Sequence, residues 1–134
     1  ARKSVGAFWA LGKSFYLNKV HYTMESALEN PRAMTLFVHE VRHMQQGVLT
    51  AMSVYGELDA WQIEFRLYKR LTGKMFKPEL EELLALPLSF NRSTLKRARQ
   101  LMTKFAGVWY GAWILPLYPI QKEIVFWVTR KQYD

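Results

Sequence analysis

Asn30-Pro-Arg-Ala-Met-Thr-Leu-Phe-Val-His-Glu-Val-Arg-His-Met-Gln-Gln46 contains a complete HExxH motif at residues 39–43. Asn30 is a good N-cap, Pro31 suits the first helical position, and Gly47 is a natural stop, so one helix is expected over this stretch. Side chains four residues apart share one face of a helix. His39 and His43 can therefore direct their imidazole nitrogens at a single metal ion.

Glu40 stands beside the two histidines, where its carboxylate can act as general base toward a metal-bound water. The chain contains three histidines, and two of them fall in this motif. The third, His21, is more typical of a surface or capping residue than of a ligand. The competing interpretation is a helix that carries two exposed histidines by coincidence. Helical spacing also predicts an apolar stripe that buries the helix, formed by Phe37, Val41, Met44 and Val48.

A third metal ligand is expected from the next helix, since catalytic zinc usually takes three protein ligands and leaves one position for water. Residues 55–64 supply three carboxylates at the start of a helix predicted to run to about Leu71. Glu57 shares its face with the small Ala60, whereas Asp59 points elsewhere. We therefore predict Glu57 as the ligand, with Asp59 and Glu64 as alternatives. The competing interpretation of Glu57 is an acidic residue favoured near a helix N-terminus.

Two further polar residues are predicted to orient the imidazole rings of the histidines. Glu64 lies one more turn along the face of Glu57, where it can orient a histidine ring. Gln46 follows His43 on the histidine side of the first helix and is a second candidate for the same task.

The HExxH motif followed by Glu57-x-x-Ala60 resembles the gluzincin type of zincin metallopeptidase, and residues 14–71 are similar to small single-domain bacterial members of that group. The resemblance implies Zn²⁺ held by His39, His43 and Glu57, with Glu40 as general base and a strand lining the substrate cleft. It also implies one zincin-like domain over 1–134 and a bacterial source. Arg42 departs from the pattern, because such motifs usually carry an uncharged residue there.

Length and composition limit the number of domains, the kinds of metal site and the location that this chain can have. With 134 residues, half of them apolar, it is expected to form one domain with a real core. The absence of cysteine excludes a disulfide framework and a cysteine-based metal site. The first residue is Ala1, which predicts a trimmed or processed chain, and a cytoplasmic or a processed secreted location both stay open.

We expect an α+β fold that is mainly helical. Alternating apolar and polar residues over 5–23 predict a small N-terminal β-hairpin packed on the metal-binding helices, able to bind an extended peptide by strand addition. Further helices are predicted over 79–86 and, capped by Ser93, from 94 to about 106. An extended apolar segment, 107–120, is predicted to pack on these helices.

The apolar segment 107–120 is too short and too interrupted by proline for a membrane span, which needs about 20 apolar residues. The alternatives to simple burial are a hydrophobic substrate pocket, a homodimer surface or a membrane-facing patch. Tyr110 and Tyr118 in this segment, together with Tyr55, are candidates for steadying a developing oxyanion.

The predicted function is zinc-dependent hydrolysis of a peptide or protein substrate. One alternative is a zinc-holding domain that no longer cleaves, for which Arg42 is the indication. Another is a binding module, because a net charge of +8 can attract nucleic acid or an anionic surface, although no established nucleic-acid motif is present. Its basic residues would be those of the late helix: Arg92, Lys96, Arg97, Arg99 and Lys104.

Overall fold

Helices dominate the molecule, whose residues 7–10, 14–17, 23, 25 and 29–133 are described by a computed structural model. Two strands come first, β1 Ala7–Ala10 and β2 Ser14–Leu17. The helices that follow are α1 Pro31–Gln46, α2 Val48–Ala51, α3 Val54–Thr72, α4 Pro78–Ala85, α5 Arg92–Ala106 and α6 Ile120–Thr129. Two 3-10 turns, Val108–Tyr110 and Ala112–Ile114, lie between α5 and α6.

The predicted motif helix is confirmed as α1. The side chain of Asn30 accepts hydrogen bonds from the backbone N–H groups of Arg32 and Ala33, and Pro31 takes the first helical position. Gly47 ends the helix with a φ of +79°, a conformation that favours glycine.

The buried face of α1 differs from the expected apolar stripe, because it joins Ala33 and Leu36 to several polar side chains. His39, Glu40 and His43 are all buried. In the expected stripe, Phe37 and Val48 are exposed and the other two members are only half-buried. A helix buries polar groups in this way where a second element supplies partners for them.

That second element is α3, which runs antiparallel to α1. It begins at the predicted place, where the Ser53 hydroxyl accepts a hydrogen bond from the N–H of Gly56, and it ends at Gly73 in the left-handed conformation. One side of α3 faces the histidines. Its other side enters the hydrophobic core, which α4, α5 and residues 112–118 complete.

Helices α4 and α5 lie close to their predicted bounds, but the predicted cap of α5 is wrong. The side chain of Asn91, not Ser93, accepts a hydrogen bond from the N–H of Thr94 at 3.1 Å. Asparagine is at least as strong a cap as serine and comes earlier in the chain, so the helix begins at Arg92.

The predicted extended segment over 107–120 is also different in the structure. Its first part forms the two 3-10 turns, and α6 begins directly after Pro119, because proline suits the start of a helix as well as its interruption. Leu117 and Tyr118 are buried, whereas Trp109 is 98% exposed. Among the described helices, none is long and apolar enough to cross a membrane.

The predicted α+β class is wrong, because all the regular elements within residues 29–133 are helices. The expected hairpin is present only as an antiparallel ladder of two four-residue strands, with Phe8 opposite Tyr16, and β1 lies beside α1. A two-stranded ladder of this size cannot form a core layer of its own. The layers that enclose the core are therefore helices.

Candidate metal centre

His39, His43 and Glu57 converge between α1 and α3, and all three are buried. The Nε2 atoms of the two histidines lie 2.9 Å apart. Glu57 Oε1 lies 3.5 Å from Nε2 of His43, and Glu57 Oε2 lies 3.8 Å from Nε2 of His39. Ligand atoms of a tetrahedral ion with bonds of about 2.0–2.2 Å are separated by roughly 3.3–3.6 Å. The measured separations bracket that range, so the three side chains form a buried group that can hold a metal ion.

The ring of His39 is supported on its far side by Glu64. Its Nδ1 atom lies 2.8 Å from Glu64 Oε2, an ion-pair contact bent away from ideal hydrogen-bond alignment. The other oxygen of Glu64 accepts a hydrogen bond of 2.6 Å from Arg32 at the start of α1. Burial by itself lowers the pKa of His39, but the carboxylates of Glu64, Glu57 and Glu40 outweigh it and raise that pKa to about 9. His39 therefore carries a proton at neutral pH, and a metal ion must displace that proton in order to bind there.

The ring of His43 is supported by Gln46. Nδ1 of His43 lies 3.1 Å from Oε1 of Gln46. The amide nitrogen of Gln46 donates to the carbonyl of Gly56 at 3.0 Å and to Oδ2 of Asp59 at 2.8 Å. The same Asp59 oxygen accepts a hydrogen bond of 2.7 Å from Nε of Arg42. Arg42, the residue that departs from the gluzincin pattern, is thus tied to the support of His43.

Glu57 is held by two aromatic side chains. The indole N–H of Trp61 lies 3.2 Å from Glu57 Oε2, and the hydroxyl of Tyr110 donates a hydrogen bond to the same oxygen. Burial raises the pKa of Glu57, but the hydrogen bond to His43, the charges of both histidines and the hydrogen bond from Tyr110 lower it to about 2. Glu57 is therefore ionised at neutral pH, as a metal ligand must be.

Glu40 borders a small cavity beside this group. The cavity has a volume of about 90 Å³ and is lined by His39, Glu40, Trp61, Phe105 and Tyr110, among others. Such a volume holds a few water molecules but falls below the roughly 300–1,000 Å³ of small-molecule pockets. The space beside Glu40 therefore suits an attacking water rather than a whole substrate side chain.

The structure separates the three candidate tyrosines. Tyr110 contacts Glu57 and borders the cavity. The ring of Tyr55 instead stacks on Phe90, and Tyr118 is fully buried in the aromatic cluster around Phe126. His21 lies outside the described residues.

Most of the basic residues of α5 are engaged within the chain. Arg92 pairs with Glu123, Arg97 pairs with Glu82, and Lys104 lies 2.7 Å from Glu79. Arg99 donates a hydrogen bond to the carbonyl of Leu115. These contacts leave α5 without a continuous stripe of uncommitted cations of the kind a nucleic-acid surface presents.

Three residues around the metal centre were not predicted from the sequence as its supports. The sequence predicts Asp59 only as an alternative ligand, and it gives Trp61 and Gly56 no role at this centre. Gly56 is a costly residue in the first turn of a helix, which could have indicated a close approach of another backbone there.

Comparisons with protein-family models, with curated proteins and with solved structures gave no match.

Proposed function

We propose that this protein is a zinc-dependent peptide hydrolase. The observation that carries the proposal is the convergence of two buried histidines and one ionised glutamate on a single point, next to a cavity bordered by Glu40. Two imidazoles with one carboxylate are a donor set that catalytic zinc uses in peptidases. The supports of His39, His43 and Glu57 favour the same interpretation, because ligands of catalytic metals are usually held by such hydrogen bonds.

Glu40 would perform the proton transfers of the reaction. Zinc, when bound, lowers the pKa of a coordinated water and polarises a scissile carbonyl. Glu40 accepts the proton of the attacking water and passes it to the nitrogen of the leaving amine, so that the peptide bond breaks without a charged leaving group. Its burial beside His39 keeps its carboxylate within the same small space.

Tyr110 is the candidate tyrosine whose position fits an oxyanion-stabilising role, since it is one of the residues that line the cavity. In this structure its hydroxyl contacts Glu57, so it also holds the third ligand in place. Of the three candidate tyrosines, we therefore propose only Tyr110 as the residue that stabilises the oxyanion.

The first experiment is a measurement of metal content by mass spectrometry on the purified protein and on the His39→Ala and Glu57→Ala variants. We expect about one zinc per chain in the unchanged protein and a loss in both variants. Absence of metal after zinc is offered at neutral pH would contradict the proposal. Stoichiometric iron instead of zinc would point to oxidation chemistry, which the same donor set also supports.

Replacement of Glu40 by Gln is expected to retain the metal and to lower turnover of peptide substrates by about a hundredfold or more, because the proton acceptor is lost while the ligands stay. The matched control is Glu82→Gln, which removes an exposed carboxylate paired with Arg97 and should leave both readouts unchanged. If the unchanged protein and the Glu82→Gln control both bind zinc but cleave no peptide, the result would instead support the alternative of a catalytically silent domain.

A further inference from the structure

Helix α6 is apolar on the side that faces away from the molecule. Ile120, Ile124, Trp127 and Val128 follow helical spacing and form one exposed stripe, with Val128 78% and Trp127 57% exposed. The inner side of α6 carries Phe126, which packs against the core beside Tyr118, and Glu123, which is buried and paired with Arg92. Helix α6 therefore has an outward apolar stripe in addition to its inward contact, whereas an ordinary surface helix turns its apolar stripe toward the core.

Helix α2 extends this apolar surface, because it lies beside α6. Leu49 lies in α2 and Met52 directly follows it, and each side chain is about half exposed. The stripe of α6 together with Leu49 and Met52 is here named the α2–α6 face. Contiguous exposed apolar surface of this kind usually marks an interaction site, whereas single exposed apolar residues do not.

The charges around the α2–α6 face are cationic. Between Thr103 and Tyr133 the sequence contains one carboxylate, Glu123, and it is buried. Arg130 and Lys131 are exposed at the end of α6, and the guanidinium of Arg130 lies 4.8 Å from the centre of the Trp127 ring. The face therefore combines exposed aliphatic side chains, a tryptophan and a cationic edge.

We propose that the α2–α6 face binds the surface of an anionic lipid bilayer. Aliphatic side chains enter the boundary of the acyl chains, tryptophan prefers the level of the headgroups, and Arg130 and Lys131 meet lipid phosphates. A second copy of this chain is a poorer occupant, because a two-fold interface would bring the cationic edges of two copies close together.

The test is flotation of the full chain with two kinds of vesicle. One is pure phosphatidylcholine, and the other contains phosphatidylcholine and phosphatidylglycerol at about three to one. We expect the protein to float with the anionic vesicles, to bind the neutral ones weakly, and to lose binding as salt rises. The double variant Ile124→Ser, Val128→Ser should bind about tenfold more weakly or worse, because it loses two apolar contacts with the acyl region.

The matched control is Met75→Ser, which removes an exposed apolar side chain in the loop after α3. It should bind anionic vesicles like the unchanged protein, and circular dichroism should show all variants folded. Failure to float with anionic vesicles, or equal binding by the double variant, would overturn the proposal. So would a concentration-dependent dimer in sedimentation velocity that the double variant abolishes, because a second copy would then occupy the face.

Discussion

At the residue scale, the hydrogen-bond partners of Gln46 determine which nitrogen of His43 faces the other ligands. The amide nitrogen of Gln46 faces a carbonyl and a carboxylate, and both can only accept hydrogen bonds. Oε1 of Gln46 must therefore face Nδ1 of His43, which has to carry the hydrogen. In neutral His43 this leaves the lone pair on Nε2, the atom directed at His39 and Glu57. The ring is thus held in the tautomer that a metal needs.

Replacement of Gln46 by Met is expected to weaken zinc binding by about tenfold to a hundredfold, since methionine keeps the size of the side chain but cannot accept the hydrogen from Nδ1. Gln121, an exposed glutamine of α6 changed in the same way, is the control and should leave the affinity unchanged. Competition with a chromogenic chelator gives both dissociation constants. Equal affinities would show that Gln46 does not orient His43.

At the scale of elements, the close approach of the α2 region to the start of α3 sets the spacing of the metal centre. A Cβ atom on Gly56 would lie 2.1 Å from the carbonyl oxygen of Thr50, a distance that no side chain can occupy. The carbonyl of Gly56 also accepts from Gln46. Gly56 therefore lets the two segments approach, and Arg42–Asp59 and Arg32–Glu64 fix how α1 and α3 align.

The Gly56→Ala variant is expected to be destabilised by about 1–3 kcal/mol, because the backbone of Thr50 must move to admit the methyl group. The same change inside a helix ordinarily stabilises a protein by up to about 1 kcal/mol. The sign of the change in the free energy of unfolding, measured with urea, therefore shows whether the clash with Thr50 or the ordinary helix effect is larger. A more stable variant would refute the close contact described above.

At the scale of the whole molecule, the C-terminal helix is attached to the helical core by Phe126, which packs beside Tyr118, and by one buried carboxylate. Glu123 accepts hydrogen bonds from both terminal nitrogens of Arg92, from the N–H of Tyr118 and from the indole of Trp127. Burial raises the pKa of Glu123, but the bonds to Arg92 and to the Tyr118 N–H outweigh it and lower that pKa below its ordinary value. The attachment therefore depends on pH.

A group whose pKa is lowered by folding stabilises the fold above its unfolded pKa, about 4.3 for glutamate, and loses that contribution as the pH falls through the folded value. The Glu123→Gln variant is therefore expected to be less stable than the unchanged protein at pH 7, by about 1–3 kcal/mol. The difference should narrow as the pH falls below about 4. Urea unfolding at a series of pH values measures it, and a constant difference would contradict the assigned role of the charge.

The local features of the fold could be predicted from the sequence. The bounds of α1 follow from Asn30, Pro31 and Gly47, and the pairing of His39 with His43 follows from their four-residue spacing, because backbone geometry within a few residues fixes both. The class of the fold could not be predicted in this way. The alternation over 5–23 predicts a hairpin and an α+β class, and the prolines of 107–120 predict an extended segment. In the structure helices enclose the core, and α6 begins directly after Pro119.

Helical spacing in the sequence is enough to bring two histidines and a glutamate to neighbouring positions on one helix. The packing of α3 on α1 is what selects Glu57 from Glu57, Asp59 and Glu64 to complete the group, and the fold of the later segment brings Tyr110 to it. The three carboxylates have the same chemistry and lie within two turns of one helix. Their roles are therefore set by how α3 aligns with α1, and that alignment depends on packing between residues far apart in the chain.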